Sequence, residues 1–193
     1  MKKLNLGYAM CASFCTISNS LEALKSISNK YNILPILSEN LMKYDTRFGK
    51  AVDIRKKIEH ITQRKSLLAI PEAEPIGPTN MTDIMIIAPC TGNTLAKINN
   101  AITDTVVTMA VKSHLRVTKS LVICFASNDA LGFSFENIIR SMNMKNIFFV
   151  PMLQDSPKNK PNSLVADFNM IDETIEAALE GRQIRPIFKV TAA

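Results

Sequence analysis

The sequence predicts an α/β protein built on a parallel, doubly wound β-sheet. Short apolar runs rich in Ile, Leu, Val and Phe alternate along the chain with longer segments in which apolar residues recur at helical spacing. This alternation is typical of a parallel sheet that crossover helices cover on both faces. The length of 193 residues fits one hydrophobic core, so we expect a single domain over residues 1–193.

Six apolar runs are predicted to be the buried strands of this sheet. None of them is long enough to cross a bilayer, and the start of the chain lacks the long apolar stretch and cleavage site of a signal peptide. We therefore expect a cytoplasmic protein that has no membrane partner. The predicted strands are residues 4–10, 33–37, 67–70, 84–88, 121–126 and 147–150.

Six helices are predicted from the segments between and after these strands. In the first helix Leu21, Leu24 and Ile27 share one face, and Ser18 is among the polar residues that can cap its start. The last helix ends before Gly181, a residue suited to a left-handed C-cap. The predicted helices are residues 17–29, 52–62, 94–101, 106–115, 135–142 and 171–180.

Two proline-containing segments, residues 71–78 and 154–163, interrupt the alternation of strands and helices. Proline lacks an N–H group and has a fixed φ, so we expect neither a regular helix nor a central strand in them. Loops of this length are either plain connections or lids and interface elements. The sequence leaves both roles open.

Charge and cysteine content argue against two classes of function. The net charge is +6, but the basic residues are scattered and no nucleic-acid-binding motif accompanies them, so we expect no nucleic-acid partner. A protein that handles anionic cofactors and dicarboxylates explains the charge equally well. The cysteines show no paired spacing and the two histidines, His60 and His114, are far apart, so we expect no metal site. We interpret all the cysteines as buried small thiols and His60 as a surface residue. The cysteines are Cys11, Cys15, Cys90 and Cys124.

Small polar residues follow four of the predicted strands. Ligands of an open parallel sheet bind outside the carboxyl ends of its strands, where such residues can hold a phosphate and the edge of a planar ring. The same residue types also serve as ordinary helix N-caps. No Gly-rich dinucleotide or nucleotide-triphosphate motif is present, so FMN fits these loops better than NAD or ATP. The residues are Ser13, Ser38, Pro89, Thr91, Gly92, Asn93, Thr94, Asn128 and Asp129.

Residues 88–97 resemble the proline-alanine-serine-alanine-asparagine-threonine motif of the homo-oligomeric flavin-containing cysteine decarboxylase superfamily. Over nearly the whole chain, the sequence also resembles the B subunits of dipicolinate synthases. The segments that carry this second resemblance are residues 46–49, 72–78, 128–132, 145–151, 154–155, 160–163 and 173–181.

These resemblances imply a flavodoxin-like three-layer sandwich that binds FMN and forms a homo-oligomer. They imply that Ser13 and Ser38 hold the flavin phosphate, and that Pro89, Thr91, Gly92, Asn93 and Thr94 line the ring and ribityl chain. The implied partner is an A subunit that carries NAD(P), in the mother cell of a sporulating bacterium. The chain departs from the superfamily pattern in having Cys11 and Ala12 before Ser13, which affects how closely the backbone approaches the flavin phosphate. It also has no tryptophan and has residues 127–129 in place of the superfamily's later segment, so we do not predict cysteine decarboxylation.

The implied reaction converts a hydroxytetrahydrodipicolinate to pyridine-2,6-dicarboxylate. We predict that Arg47, Lys97 and Arg116 bind the substrate carboxylates, although each could equally be a solvated surface charge. Asn128 and Asp129 are predicted to be catalytic, with helix capping as the alternative. Two other functions stay open: a free-standing FMN-dependent decarboxylase-like enzyme, and a non-catalytic subunit that only stabilises its partner. Residues 106–115 are the predicted surface for self-association.

Overall fold

The centre of the fold is a sheet of five parallel strands in the order β2-β1-β3-β4-β5, which a computed structural model describes for residues 3–189. This order reverses direction between β1 and β3, and ligands of doubly wound sheets bind beside such a switch point. Almost every residue of these strands is buried, which explains their apolar composition. The strands are β1 (Asn5–Met10), β2 (Asn32–Leu37), β3 (Ile84–Cys90), β4 (Leu121–Ser127) and β5 (Ile147–Phe149).

Helices cover both faces of the sheet, which confirms the predicted flavodoxin-like α/β class. The first helix, α1, contacts the short turn that precedes the last helix, α8, and Lys30 after α1 forms an ion pair with Asp172 of α8. Helices α4 to α7 contact one another on the other face. The helices are α1 (Ile17–Ile27), α2 (Glu39–Lys43), α3 (Ala51–Thr62), α4 (Ile70–Ala73), α5 (Gly92–Asn99), α6 (Val106–Leu115), α7 (Phe135–Met142) and α8 (Ile171–Leu179).

The strand predicted at residues 67–70 is wrong. Only Leu67 pairs with β2, through a single bridge to Ile36. Beyond it, the Glu72 carboxylate accepts hydrogen bonds from the N–H groups of Leu68 and Ala69, which a strand would need for its ladder. Pro71 then lies in the first turn of α4, where a missing N–H costs nothing. The prediction that residues 71–78 contain no helix is therefore also wrong.

The second proline-containing segment, residues 154–163, connects two short strands that the sequence did not predict. Strand β6 (Met152–Leu153) pairs with β7 (Leu164–Ala166), and β7 pairs antiparallel with the carboxyl end of β4. The segment is therefore the tip of a hairpin that extends the sheet beyond the carboxyl end of β4. This hairpin forms one wall of the polar edge described below.

Helix α6 packs its apolar side chains into the protein core. This is contrary to the prediction that residues 106–115 form a surface for self-association. Val106, Val107, Ala110 and Val111 are all buried. The exposed side chain on this helix is Lys112, so α6 is mainly a core element.

Other sequence-based expectations are mostly confirmed. The bounds of α6 and α7 agree with the prediction, and Gly181 has φ +71°, the left-handed conformation expected after α8. His60 is exposed on α3. Three cysteines are buried, but Cys15 is exposed, so the prediction of four buried thiols is wrong at that position. No helix within residues 3–189 has the length and apolar character that a membrane span requires.

Candidate cofactor-binding site

The carboxyl ends of β1, β2 and β3 surround a cleft of about 470 Å³. Its volume lies within the range of roughly 300–1,000 Å³ that is typical of small-molecule sites. The cleft lies at the switch point between β1 and β3, where the fold class predicts a ligand. Its lining residues are Cys11, Ala12, Ser38, Glu39, Asn40, Thr91, Asn93, Thr94, Lys97, Asp104, Thr105 and Val107.

Three helices begin at the wall of this cleft. The N-cap residues of α2, α5 and α6 are Ser38, Thr91 and Thr105, and all three line the cleft. Each cap oxygen accepts one hydrogen bond from its helix, at 3.4 Å, 3.3 Å and 3.1 Å respectively. The capping role that the sequence left as an alternative is therefore real for Ser38 and Thr91, and it does not remove these residues from the cleft.

The caps leave several N–H groups of these first turns unused. Within residues 3–189, the N–H groups of Glu39, Asn40, Gly92, Asn93 and Val107 have no hydrogen-bond partner. Free N–H groups and the positive ends of helix dipoles favour a bound anion. These first turns thus favour an anion, although the carboxylates of Glu39 and Asp104 also line the cleft.

The floor of the cleft is a hydrogen-bonded cluster of Cys11, Thr91 and Thr94. The Cys11 sulfur lies 3.2 Å from Thr94 Oγ1, to which Thr91 Oγ1 donates at 3.0 Å. Burial raises the pKa of the Cys11 thiol to about 11, so the group is a neutral thiol at neutral pH. Cys11 is therefore a buried thiol, as predicted, and at the same time a wall residue of the cleft.

A buried network below the cleft fixes the end of β3. Ser20 Oγ donates to the carbonyl oxygen of Ala88 at 2.6 Å, and the Tyr8 hydroxyl lies 3.1 Å from Ser20 Oγ. The Cys11 N–H donates to the carbonyl oxygen of Pro89 at 3.1 Å. These bonds join the loop after β1 and helix α1 to the last residues of β3, so the core holds this part of the cleft in place. Predicted site residue Pro89 is buried in this layer.

Lys97 contributes the cationic side chain of the cleft. It lies on α5, and its Nζ is 2.9 Å from both carboxylate oxygens of Asp104. The hydrogen bond from Lys97 lowers the pKa of Asp104. The charge of Lys97 is consequently balanced within the chain, although both residues line the cleft.

A second hollow of about 280 Å³ lies on the other side of the loop formed by residues 11–16. This hollow is enclosed by that loop, the carboxyl end of β4 and the hairpin of β6 and β7. Two predicted residues, Ser13 and Asn128, line it and do not line the cleft. Its lining residues are Ser13, Cys15, Thr16, Asn19, Ala126, Ser127, Asn128, Asp155, Lys160 and Val165.

The remaining predicted residues lie apart from both cavities or at their margin. Gly92 begins α5, where an added Cβ would come within 2.6 Å of Ser134 Oγ. Asp129 is exposed in the turn after β4, and Arg47 is exposed and stacks on Phe48, with 4.8 Å between the guanidinium carbon and the ring centroid. Arg116 follows the carboxyl end of α6.

Arg116 lies at the opposite edge of the sheet from the cleft. Helix α6 begins beside α2, where the Val106 N–H donates to Glu39, and ends beside Ser120 and Thr82, which precede β4 and β3. The structure therefore does not bring Arg116 together with the other predicted carboxylate-binding residues.

Sequence reasoning missed several residues of the cleft, among them Glu39, Asp104 and Thr105. A signal was present for Thr105, because a threonine before an apolar helical segment is typical of an N-cap. Glu39 had no such signal, since its bond to the N–H of Val106 joins residues that are far apart in sequence.

Residues 2–175 match the family described as Flavoprotein. The chain belongs to the Flavoprotein family. It is similar to the B subunit of dipicolinate synthase from Bacillus subtilis (strain 168), with 39% identity over 188 residues that cover 97% of this chain and 94% of the relative. Within the solved structures, this Flavoprotein-family chain is similar to the dipicolinate synthase B subunit from Bacillus halodurans C, with 38% identity, a TM-score of 0.89 and coverage of 98% and 97% of the two chains.

A more distant structure shares the fold of this Flavoprotein-family chain. It is the dodecameric FMN-dependent Ubix-like decarboxylase from Escherichia coli O157:H7, which is 20% identical with a TM-score of 0.58 and covers 77% of this chain and 80% of its own. The arrangement of strands and helices around the cleft is therefore that of a flavoprotein.

Proposed function

We propose that the chain binds FMN in the cleft. The observation that carries the proposal is the convergence of the starts of α2, α5 and α6 on a single cavity at the switch point of the sheet. The dianionic phosphate of FMN suits the unused N–H groups of these helices. Flavoprotein-family membership and the FMN-dependent relative support the same cofactor.

Within the cleft, Ser38, Thr91, Asn93 and Thr94 would hold the cofactor through hydroxyl and amide groups, and Lys97 would donate a hydrogen bond from its ammonium group, whose charge Asp104 balances. Ser13 would approach from the loop that separates the cleft from the second hollow. Bound FMN supplies a two-electron acceptor. The chain's own contribution is to exclude water from the cavity floor and to fix the surrounding loops through the network of Tyr8, Ser20 and Ala88.

We further propose that the chain acts as the B-type component of a dipicolinate synthase, together with a second polypeptide that binds NAD(P). The supporting observation is the 39% identity to the B subunit of a dipicolinate synthase over nearly the whole chain. The proposed reaction removes one water, two electrons and two protons from a hydroxytetrahydrodipicolinate to give pyridine-2,6-dicarboxylate. In this role Asn128 and Asp129, at the carboxyl end of β4, would orient the substrate and move a proton. Lys97, which lies in the cleft, and Arg47 stay predicted carboxylate-binding residues, whereas Arg116 is too far from the cleft for this role.

Replacement of Asn93 by leucine tests the cofactor site. The amide lies at the start of α5 on the cleft wall, and loss of one or two of its hydrogen bonds should weaken FMN binding roughly tenfold or more. FMN affinity would be measured by quenching of flavin fluorescence. Asn100→Leu, at the other end of the same helix, is the matched control and should bind FMN as the parent does. If Asn93→Leu binds FMN as tightly as the parent does, the cleft is not the cofactor site.

Reconstitution of the two polypeptides tests the reaction. We expect the chain alone to make no dipicolinate, and we expect the complex with Asp129→Asn to be roughly 100-fold slower than the parent complex if Asp129 moves a proton. Formation of dipicolinate would be followed by its ultraviolet absorbance. Asp129 is exposed, so the substitution should change the free energy of unfolding by less than about 1 kcal/mol. Dipicolinate synthesis by the chain alone would show that no partner is needed. Normal turnover by the Asp129→Asn complex would show that Asp129 moves no proton in the reaction.

A further inference from the structure

We infer that the second hollow is a carboxylate subsite, in which Lys160 and four neutral donors hold one carboxylate of a ring dicarboxylate. The inference rests on the proposed function for the substrate class, and on the hollow itself for the residues. Lys160 was not among the carboxylate-binding residues that the sequence predicted. It lies in the hairpin segment between β6 and β7, across the hollow from the loop after β1.

The four neutral residues are Ser13, Asn19, Ser127 and Asn128. In each of them, an internal hydrogen bond already occupies the side-chain oxygen as an acceptor. The donors of these four bonds are Thr16 Oγ1 to Ser13, Ser18 Oγ to Asn19, the Asp129 N–H to Ser127, and Ser163 Oγ to Asn128.

The hydrogens of the same four groups are unused. Within residues 3–189, neither the Ser13 and Ser127 hydroxyls nor the Asn19 and Asn128 amide nitrogens donate a side-chain hydrogen bond. The hollow therefore offers unused donors on groups whose oxygens already accept one hydrogen bond each. A carboxylate accepts hydrogen bonds and donates none, so it is the ligand that this pattern fits.

Asp155 forms an ion pair with Lys160, the cation of the hollow. Its carboxylate lies 2.9 Å from Lys160 Nζ, and both side chains are partly exposed, at 31% and 46%. A pair with this exposure contributes little stability, so Lys160 can exchange one carboxylate for another at small cost. Asp155 would thus compete with a bound carboxylate for Lys160. Replacement of Asp155 by a neutral residue should therefore strengthen binding of the ligand.

The position of the hollow supports the assignment. Residues 11–16 form the partition between it and the cleft, because Cys11 and Ala12 line the cleft while Ser13, Cys15 and Thr16 line the hollow. A ring held by one carboxylate in the hollow would lie beside the proposed cofactor cavity. The proposed substrate ring and the proposed cofactor would then occupy neighbouring cavities at the same edge of the sheet.

The test is calorimetric titration of the purified chain with pyridine-2,6-dicarboxylate, with and without FMN. Lys160→Met keeps the length of the side chain and removes its charge, and should weaken binding roughly tenfold to a hundredfold. Lys158→Met is the matched control, because Lys158 is exposed in the same segment and does not line the hollow. It should bind as the parent does. Asp155→Asn should bind the dicarboxylate several times more tightly.

Three results would overturn the inference: no binding by the parent at millimolar dicarboxylate, unchanged binding by Lys160→Met, or equal losses in the two lysine variants. Circular dichroism and FMN affinity serve as folding controls for each variant. If the parent fails to bind FMN, the proposed cofactor is wrong, and the titration without FMN still decides whether the hollow binds a carboxylate. Failure of the two proposals is therefore distinguishable.

Discussion

His114 is held by two hydrogen bonds that fix its tautomer. Its Nε2 lies 2.9 Å from the carbonyl oxygen of Ser120, an acceptor only, so Nε2 donates. Nδ1 is 2.9 Å from Thr82 Oγ1 and accepts the hydroxyl hydrogen. Burial lowers the pKa of His114 to about 4, and the charge of Lys119 acts in the same direction. The folded protein therefore holds a neutral imidazole at neutral pH.

This depressed pKa predicts loss of stability in mild acid. The unfolded chain takes up a proton at a pH near 6.5, whereas the folded chain resists protonation until about pH 4, so unfolding binds a proton between these values. The contribution of His114 to the free energy of unfolding is fully present above pH 6.5 and is lost as the pH falls towards 4. We expect a loss of about 2 kcal/mol between pH 7 and pH 5.

Urea unfolding of the parent and of His114→Gln at pH 7 and pH 5 would measure this loss. The free energy of unfolding should fall less for His114→Gln than for the parent as the pH is lowered. His60→Gln, which alters the other histidine of the chain, is the control and should behave as the parent does. A parallel pH dependence in parent and His114→Gln would contradict the assignment.

At the scale of elements, the contact between the turn after α4 and helix α6 depends on Gly77. A Cβ on Gly77 would lie 1.9 Å from the main-chain oxygen of Ser113, and the Gly77 N–H donates to Ser113 Oγ at 2.9 Å. Two backbones therefore touch at this point, which leaves no room for a side chain. The glycine is needed for space, because its φ of −74° is accessible to any residue.

Gly77→Ala should lower the free energy of unfolding by about 3 kcal/mol or more, since the clash is with main-chain atoms that cannot rotate away. Ser113→Ala alone removes hydrogen bonds and should cost roughly 1–3 kcal/mol. The double variant decides the cause: alanine at position 77 should remain destabilising in the Ser113→Ala background. Rescue by Ser113→Ala would show that the serine side chain, and not its carbonyl oxygen, excludes the methyl group.

Elements with a clear apolar pattern of their own could be predicted from the sequence, and strands that lack one could not. Helices α6 and α7 have the predicted bounds because their apolar spacing is regular. Strands β6 and β7 have two and three residues and gain their pairing from the end of β4, which no local pattern reveals. The run at residues 67–70 was predicted to be a strand because it is apolar. It does not form one, because the N–H groups of Leu68 and Ala69 donate to the side chain of Glu72.

The candidate site was predictable in the same uneven way. Residues that directly follow strands, such as Ser38, Thr91 and Asn93, come together because the carboxyl ends of parallel strands share one edge. Arg116 lies at the opposite edge because it follows a helix that runs back across the sheet. The separation of Ser13 from Ser38 into two cavities depends on the path of residues 11–16, which spacing along the chain does not specify.

At the scale of the whole molecule, Phe133 is 96% exposed next to the polar edge of the sheet. Burial of such a side chain in a contact between two copies would contribute roughly 1.5–3 kcal/mol. We therefore expect an oligomer at micromolar concentration by light scattering, and Phe133→Ser should weaken association roughly tenfold to a hundredfold.

Phe48→Ser is the matched control for this experiment. Phe48 is 47% exposed and already stacked against Arg47, so its replacement should leave the oligomer intact. Both substitutions should leave the free energy of unfolding of a single chain nearly unchanged, because neither side chain belongs to the core. A monomeric parent protein, or equal effects of the two substitutions, would contradict the role of Phe133.

The partition formed by residues 11–16 has a thermodynamic consequence for the two proposed ligands. The Cys11 thiol anchors it to Thr94 on one side, and the hydroxyl of Thr16 anchors Ser13 on the other. A ligand that contacts this wall from one side acts on the same residues that the second ligand meets from the other side, so the two binding events are coupled. The resulting cooperativity is reciprocal: any factor by which FMN tightens dicarboxylate binding is the factor by which the dicarboxylate tightens FMN binding. The substrate would then be a determinant of how firmly the protein keeps its cofactor.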